Sequence, residues 1–342
     1  MNVGILTGGG DCPGLNAVIR AVVKRGLQFG YEFTGIKNGW RGLVEPSVVK
    51  LTKDAVSGIL PLGGTILGTS RTNPMKSAAD TEAVMRNISE LKLDALVCIG
   101  GDDTLGVAAK LYKKGIKTIG VPKTIDNDLM GTDFTFGFDT AVSIVTWALD
   151  RLHSTTEAHQ RVMVVEVMGR HAGWIAVYGG IAGGADVILI PEKPFDIDEV
   201  CEHVRKRKAA GKMFSLVVAA EGATPKDTGG LITKDQELDA FGHARLGGIG
   251  EFLAKAIERK TGYESRHVVL GHLQRGGTPT AYDRILATRY GLRAIELVHE
   301  GKFGRMVALQ GNSIVDISLE EATSKLKTVD MEMFKAAEVF FG

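Results

Sequence analysis

The sequence predicts a doubly wound α/β fold, and three observations carry that reading. Short β-rich runs alternate with helix-period runs along the whole chain. The strand candidates read as unbroken apolar or β-branched segments, as parallel strands buried on both faces do. Glycine-rich or polar clusters sit just past the ends of those strands, where open α/β sheets bind ligands. The 342 residues suit two domains or one large α/β domain, at about 100–200 residues per domain. Hydrophobic content of 44% and charged content of 24% exclude wholesale disorder. Lys+Arg 41 against Asp+Glu 40 leaves a formal charge of +1, so any anion site must come from local clustering. Glycine, 44 of 342 residues, or about 13% against a usual value of about 7%, follows no Gly-X-Y period. It points to backbone approaching something closely.

Taken in order, strand Asn2–Leu6 leads through Thr7–Asn16 into helix Ala17–Gln28, and strand Phe33–Ile36 follows. Helix Thr81–Leu91 precedes strand Ala95–Ile99, the cluster Gly100–Thr104 and helix Leu105–Lys114. Strand Thr118–Val121 ends in Pro122–Asp128. The longest helix, Asp139–Glu157, sets Ala141, Val142, Val145, Ala148, Leu149 and Leu152 on one stripe, and a domain boundary is expected near Gly137. Further strands are Val162–Val167, followed by Met168–Gly173, then Val187–Ile190, and Phe214–Ala219 before Glu221-Gly222. Val268–Leu270 runs into Gly271–Gly277, and Met306–Leu309 is the last strand. Segment Gly222–Gly248 is polar and glycine-rich, an expected insertion or lid. Arg205-Lys206-Arg207-Lys208 falls on a helix without interleaved aromatics, a solvated face rather than a nucleic-acid surface.

Cys12, Cys98 and Cys201 are far apart and odd in number, which argues against a disulfide framework and a structural zinc. The amino terminus lacks a basic region followed by a long apolar one. The apolar stretch Ile175–Ile190 is broken by glycines and Asp186, so no membrane span is expected there. Cytoplasmic residence, with neither membrane nor nucleic acid as partner, is the expectation.

Three clusters carry candidate chemistry. Thr7-Gly8-Gly9-Gly10-Asp11-Cys12-Pro13-Gly14 joins strand to helix, where backbone N–H groups and the helix dipole can meet an anion. It fits neither GxGxxG with its downstream acid nor the P-loop; a tight turn with packing glycines is the plain alternative. In Gly100-Gly101-Asp102-Asp103-Thr104, one carboxylate at a strand end suits hydrated Mg²⁺ carrying phosphates, while N-capping by Asp103 or Thr104 is the other reading. Lys123-Thr124-Ile125-Asp126-Asn127-Asp128 pairs carboxylates two residues apart beside a lysine, as base and orienting group for phosphoryl transfer. A turn rich in Asp and Asn is its plain reading. Arg161, Arg170, Arg266 and Arg275 flank strands at comparable termini, with His171 and His272 nearby. If they converge, their rigid forks suit a phosphorylated sugar.

Together these motifs resemble the phosphofructokinase family. Gly100-Gly101-Asp102, Thr124-Ile125-Asp126-Asn127-Asp128, Val165-Glu166-Val167-Met168-Gly169-Arg170 and Leu270-Gly271-His272-Leu273-Gln274-Arg275-Gly276-Gly277 occur in the family's order, and the match runs from residue 3 to about 310. The resemblance implies two doubly wound, Rossmann-like, three-layer α/β/α domains with the active site in the cleft between them. Residues 1–137 plus about 275–325 would form the domain for pyrophosphate and Mg²⁺. Residues 138–274 plus the C-terminal tail would form the domain for fructose 6-phosphate. It further implies that Asp126 takes the proton from the 1-hydroxyl of the sugar, with Thr124 and Asp128 aligning acceptor and donor. Asp102 is the implied Mg²⁺-associated acid, Gly10 the backbone donor beside the transferred group, and Thr104 a donor-side neighbour. Arg71 would neutralise donor and transition-state charge. Met168, Gly169, Arg170, Glu221, His272 and Arg275 match the sugar-phosphate pocket. Arg161 and Arg266 match arginines supplied by a neighbouring subunit, which implies a homodimer or homotetramer.

Two departures bear on the donor. ATP-using bacterial members typically carry glycine where this chain has Asp103, and many do where it has Lys123. A carboxylate at 103 adds bulk and charge where the α-phosphate of ATP would lie. Like charges about 4 Å apart cost roughly 1 kcal/mol in water and more in a cleft. Pyrophosphate brings no third phosphate or adenosine to collide, and Lys123 supplies a cation in place of adenosine's contacts. The pair resembles the pyrophosphate-dependent branch, with Asp103 carrying the weight because some ATP-using relatives share the lysine. The expected reaction is Mg²⁺-dependent, reversible phosphoryl transfer from pyrophosphate to fructose 6-phosphate. ATP is the alternative donor. A non-catalytic sugar-phosphate-binding subunit is disfavoured by the presence of Asp126, Asp102 and Arg71. At the effector positions Arg20 and Lys24 stay basic, but His153 and Asp186 replace the usual arginine and glutamate, which argues against control by ADP or phosphoenolpyruvate.

Overall fold

The computed structural model describes residues 1–226, 233–238 and 244–341. The chain falls into two compact units, one made of Met1–Ile125, Leu129–Thr140 and Arg275–Leu326, the other of Asp126–Asp128, Ala141–Gln274 and Lys327–Gly342. In chain order the elements are β1 (Asn2–Thr7), α1 (Leu15–Gln28), β2 (Glu32–Ile36), α2 (Arg41–Val44), β3 (Val48–Lys50), α3 (Ala78–Glu90), β4 (Ala95–Gly100), α4 (Asp102–Lys113) and β5 (Thr118–Pro122). Then come α5 (Phe138–Ala158), β6 (Val162–Val167), α6 (Trp174–Ala182), β7 (Val187–Leu189), α7 (Ile197–Ala209), β8 (Ser215–Ala220), β9 (Thr233–Leu238), β10 (Ala244–Leu246) and α8 (Ile249–Thr261). β11 (Ser265–Val269), α9 (Ala281–His299), β12 (Arg305–Gln310), β13 (Ser313–Ser318), α10 (Leu319–Ala322) and α11 (Met331–Glu338) complete the chain.

The first unit holds a seven-stranded sheet in the order β13-β12-β5-β4-β1-β2-β3. Its inner strands are parallel, and the outermost strand at each end, β13 and β3, runs antiparallel to its neighbour. Every residue of β4 and β5 is buried, as the unbroken apolar runs require. One face packs Leu6, Leu96 and Cys98 against Leu43 of α2, Val84 and Ile88 of α3, Leu105 of α4 and Leu319 of α10. On the other face α1 and α9 lie against each other, close enough that a Cβ on Gly291 would stand 2.7 Å from the Val18 carbonyl oxygen. The second unit holds a parallel sheet in the order β11-β6-β8-β7. Helices α7 and α8 cover one face through Val200, Cys201, Val204, Leu253 and Ile257. Helices α5 and α6 pack at Gly179, whose Cβ position lies 2.6 Å from Val145. This is the two-domain, parallel-sheet α/β architecture that the sequence predicts.

Most strand expectations stand within a residue or two; the strand expected over Val268–Leu270 instead spans Ser265–Val269. Of the segment Gly222–Gly248, residues 227–232 and 239–243 lie outside the described residues, and β9 and β10 pair antiparallel. No helix among the described residues is long and apolar enough to cross a membrane.

Candidate active site

In the first unit, three parallel strand ends come together around the glycine loop. β1 runs out at Thr7, and the Gly8 N–H donates to the Ile99 carbonyl at 2.9 Å, tying the loop to β4. Thr104, buried on α4, packs against Gly8 and Gly100; a Cβ on Gly8 would lie 2.6 Å from its Oγ, and one on Gly100 would strike the same side chain. The glycines are therefore needed for close approach of β1 to β4 and α4. Helices α1 and α4 both start from glycine, Gly14 and Gly101, without a side-chain cap, whereas α3, α7, α9 and α11 are capped by Ser77, Asp196, Thr280 and Asp330. A helix start entered through glycine leaves its N–H groups accessible to an anion.

Around that loop the chain gathers positive charge. Lys123, just past β5 and 3% exposed, donates from Nζ to the Gly10 carbonyl. Arg275 donates from Nη1 to the Asp11 carbonyl at 3.2 Å, and a Cβ on Gly10 would stand 2.7 Å from the same nitrogen. Thr69 and Ser70 hold the loop from the far side: the Thr69 hydroxyl donates to the Gly9 carbonyl at 2.6 Å, and Gly9 N–H donates to the Ser70 carbonyl at 3.1 Å. Arg71 follows directly. Asp102 and Asp103 form the first turn of α4, where carboxylates are favoured by the helix dipole. Cys12 is buried within the loop, and burial pushes its thiol up to about 12 despite nearby Lys123, so it stays a neutral thiol. Among the described residues no group of three or more His, Cys, Asp or Glu could hold a metal ion.

The segment after Lys123 stays inside the protein: Thr124, Asp126, Asn127 and Asp128 are all buried. The Thr124 carbonyl accepts from the Thr135 hydroxyl at 2.7 Å, and Asn127 takes a left-handed backbone at φ 52, a conformation asparagine tolerates. Farther along the first unit, Asp283 is buried at the start of α9 and accepts from the Thr140 N–H and hydroxyl at 2.8 and 2.5 Å. Thr280 donates to Asp139 at 2.6 Å. Burial pushes the Asp283 carboxyl up to about 6, more than the Thr140 donors lower it.

The second unit carries the other candidates at the carboxyl ends of its strands. Beyond β6, Met168, Gly169 and Arg170 form a turn in which Arg170 has φ 53 and its N–H donates to Glu221 Oε1 at 3.1 Å. The Glu221 N–H in turn donates to the Val167 carbonyl at 2.8 Å. His272 lies past β11, exposed in a 3-10 turn over Gly271–Arg275.

Two expectations change. The four arginines do not share comparable termini. Arg161 precedes β6 and Arg266 is the second residue of β11, at the amino ends of the parallel strands, while Arg170 and Arg275 follow the carboxyl ends. Arg161 and Arg266 both contact Glu264 Oε1, at 2.9 and 2.6 Å, and the Arg161 hydrogen bond lowers the Glu264 carboxyl. Arg275, expected in the sugar-phosphate set, lies against the glycine loop of the first unit. At the effector positions, Asp186 pairs with Arg207 at 2.9 Å and accepts from the Leu216 N–H at 2.8 Å, and His153 meets Phe214 edge-on at 4.8 Å. Sequence reasoning missed Glu166, which accepts from the Gly250 N–H at 2.9 Å at the start of α8, and the structural part of Gln274. A lone acid inside the apolar run Val162–Val167 was the available signal for the first, since a buried carboxylate must find donors.

The chain matches the family model described as Phosphofructokinase over residues 2–298. It is 59% identical over 344 residues to the pyrophosphate--fructose 6-phosphate 1-phosphotransferase of Streptomyces coelicolor, covering 100% of both chains. It is 53% identical to ATP-dependent 6-phosphofructokinase 3 of the same organism, over 99% of each. The crystal structure of pyrophosphate-dependent phosphofructokinase from Marinobacter aquaeolei superposes with a TM-score of 0.82 at 25% identity, covering 97% of this chain and 86% of that one. With the glycine loop, the buried Asp126 segment and the family match extending over most of its length, the chain belongs to the phosphofructokinase family.

Proposed function

We propose that this protein transfers a phosphoryl group reversibly from pyrophosphate to the 1-hydroxyl of fructose 6-phosphate. The observation that carries the choice of donor is Lys123, buried with its ammonium on the Gly10 carbonyl inside the glycine loop. A compact dianionic leaving group suits a cation held there, and Asp103 at the start of α4 opposes a longer polyphosphate. The Streptomyces coelicolor relative named for pyrophosphate is more similar to this chain than that organism's ATP-dependent 6-phosphofructokinase 3.

In this reading Asp126 accepts the proton of the sugar's 1-hydroxyl as that oxygen attacks the near phosphorus of pyrophosphate. The bridging P–O bond breaks, and its electrons leave with inorganic phosphate. Thr124 and Asp128 align the acceptor. The Gly10 backbone, Lys123, Arg71 and Arg275 stabilise charge on the moving group. Mg²⁺ bound to the pyrophosphate oxygens would offset their negative charge. One protein carboxylate completed by phosphate oxygens and water is the usual Mg²⁺ set, and Asp102 is the residue to supply it. Met168, Gly169, Arg170, Glu221 and His272 hold fructose 6-phosphate. Arg161 and Arg266, at the opposite end of their strands, serve the site of a neighbouring copy in a homodimer or homotetramer. Three free, buried cysteines accord with a reducing, cytoplasmic setting.

The test is a two-donor assay of purified protein with fructose 6-phosphate and Mg²⁺, reading fructose 1,6-bisphosphate. Turnover with pyrophosphate is expected. Robust turnover with ATP and none with pyrophosphate overturns the donor assignment and leaves the ATP-dependent reading.

A further inference from the structure

Gln274 is fully buried, 0% exposed, and its side-chain amide spans the ends of two strands. Its Oε1 accepts from the Met168 N–H at 3.3 Å, and its Nε2 donates to the Gly271 carbonyl at 3.0 Å. β6 and β11 pair in parallel as far as Glu166 and Val269, and the Leu270 N–H still reaches the Glu166 carbonyl at 3.0 Å. There the backbone ladder stops. In its place the amide of Gln274 offers a carbonyl to one strand end and an N–H to the other, as a peptide unit of a third strand would. The partners dictate its orientation: turned over, it would set N–H against N–H and carbonyl against carbonyl.

The two strand ends lead into the turns that carry Met168-Gly169-Arg170 and His272. We infer that Gln274 is a positioning residue for fructose 6-phosphate, setting the spacing and register of those turns through a bridge of fixed length. The inference rests on the functional reading above and adds to it a residue that touches no substrate. Only a primary amide fills both parts. Leucine keeps the bulk and offers neither bond. Glutamate keeps the acceptor for Met168 but sets a second oxygen against the Gly271 carbonyl, unless it is protonated. Burial favours that neutral form.

The test compares the full chain with Gln274→Leu and Gln274→Glu, measuring melting temperature, fructose 6-phosphate binding and the KM of each substrate. The fructose 6-phosphate KM is expected to rise about tenfold in both variants, the size of a lost buried hydrogen-bond pair, with the pyrophosphate KM unchanged. The Gln274→Glu deficit relative to the unaltered chain should narrow as pH is lowered toward about 6, where a buried glutamate takes up its proton. If Gln274→Leu does not fold, Gln274→Glu decides. An unchanged fructose 6-phosphate KM, or equal rises for both substrates, overturns the proposal. Failure of the unaltered chain to bind fructose 6-phosphate overturns the functional reading itself and the inference with it.

Discussion

A buried ammonium costs several kcal/mol unless polar or negative groups meet it. In the proposed reading, pyrophosphate adds negative charge beside Lys123, which is enclosed with its Nζ on a loop carbonyl. In the same reading Asp103 acts in the opposite sense, adding negative charge in the first turn of α4 against a longer phosphate chain. Replacing both by glycine, as Asp103→Gly with Lys123→Gly, should raise the pyrophosphate KM by about tenfold or more, the loss of one charge-assisted contact, and should admit some ATP turnover. Steady-state kinetics with each donor check this; an unchanged donor preference refutes the gate. Both residues stood out in the sequence because the resemblance implies glycine there in ATP-using members. Gln274 did not. Its motif was visible, but a glutamine between His272 and Arg275 carries no sign that its amide bridges to Met168, more than a hundred residues away.

Among elements, α9 shows how a helix start can link packing to pH. Thr280 caps it, accepting from the Asp283 N–H at 3.2 Å, and Asp283 reaches across to the first turn of α5 through Thr140. The groups that act on this carboxyl include Thr140, the Gly137 N–H, Asp139, Tyr282 and Cys12, and none of these is a cation. Burial therefore dominates and pushes it up to about 6. A carboxyl raised in the folded state binds its proton more tightly there than in the unfolded chain. Its contribution is fullest below the ordinary aspartate range and is lost as pH rises through about 6. Asp283→Asn removes that titration, so the variant should gain on the unaltered protein as pH increases from 5 to 8, by a few kcal/mol at most. Thermal melts at the two ends of that range test it; a constant difference in Tm would sink it. The parallel strands β4, β5, β6 and β8 were readable because each is buried on both faces, whereas β11, with Arg266 and His267 in its middle and largely exposed, was placed too late. The outermost strands were not readable, since β3 is exposed throughout and β13 is mostly half-buried, so neither shows an unbroken apolar run.

At the scale of the whole molecule, the proposed sharing of a site between copies turns on the placement of Arg161 and Arg266. Seven residue steps separate Arg161 from Met168 along β6, roughly 23 Å at strand spacing, so the two cannot hold one small sugar phosphate within a chain. The sequence already sets Arg161 before the expected strand Val162–Val167 and Arg266 before Val268–Leu270; what it could not show is that the two strands pair in parallel, which brings both arginines to one end of the sheet. Glu264 meanwhile holds both guanidinium groups together at the sheet edge, where exposed charge is available to another copy. If each site takes its base from one subunit and these arginines from the next, two crippled chains should restore each other. Asp126→Ala keeps the arginines and loses the base. Arg161→Ala with Arg266→Ala keeps the base and loses the arginines. After equal mixing and reassembly, a site is complete only when its base comes from the second variant and its arginines from the first. Random assortment makes about a quarter of all sites complete, in a dimer or a tetramer. Activity near that fraction of the unaltered enzyme is the expected outcome in a subunit-mixing assay. A mixture no more active than the mean of its two parents would mean that the arginines serve their own chain or none.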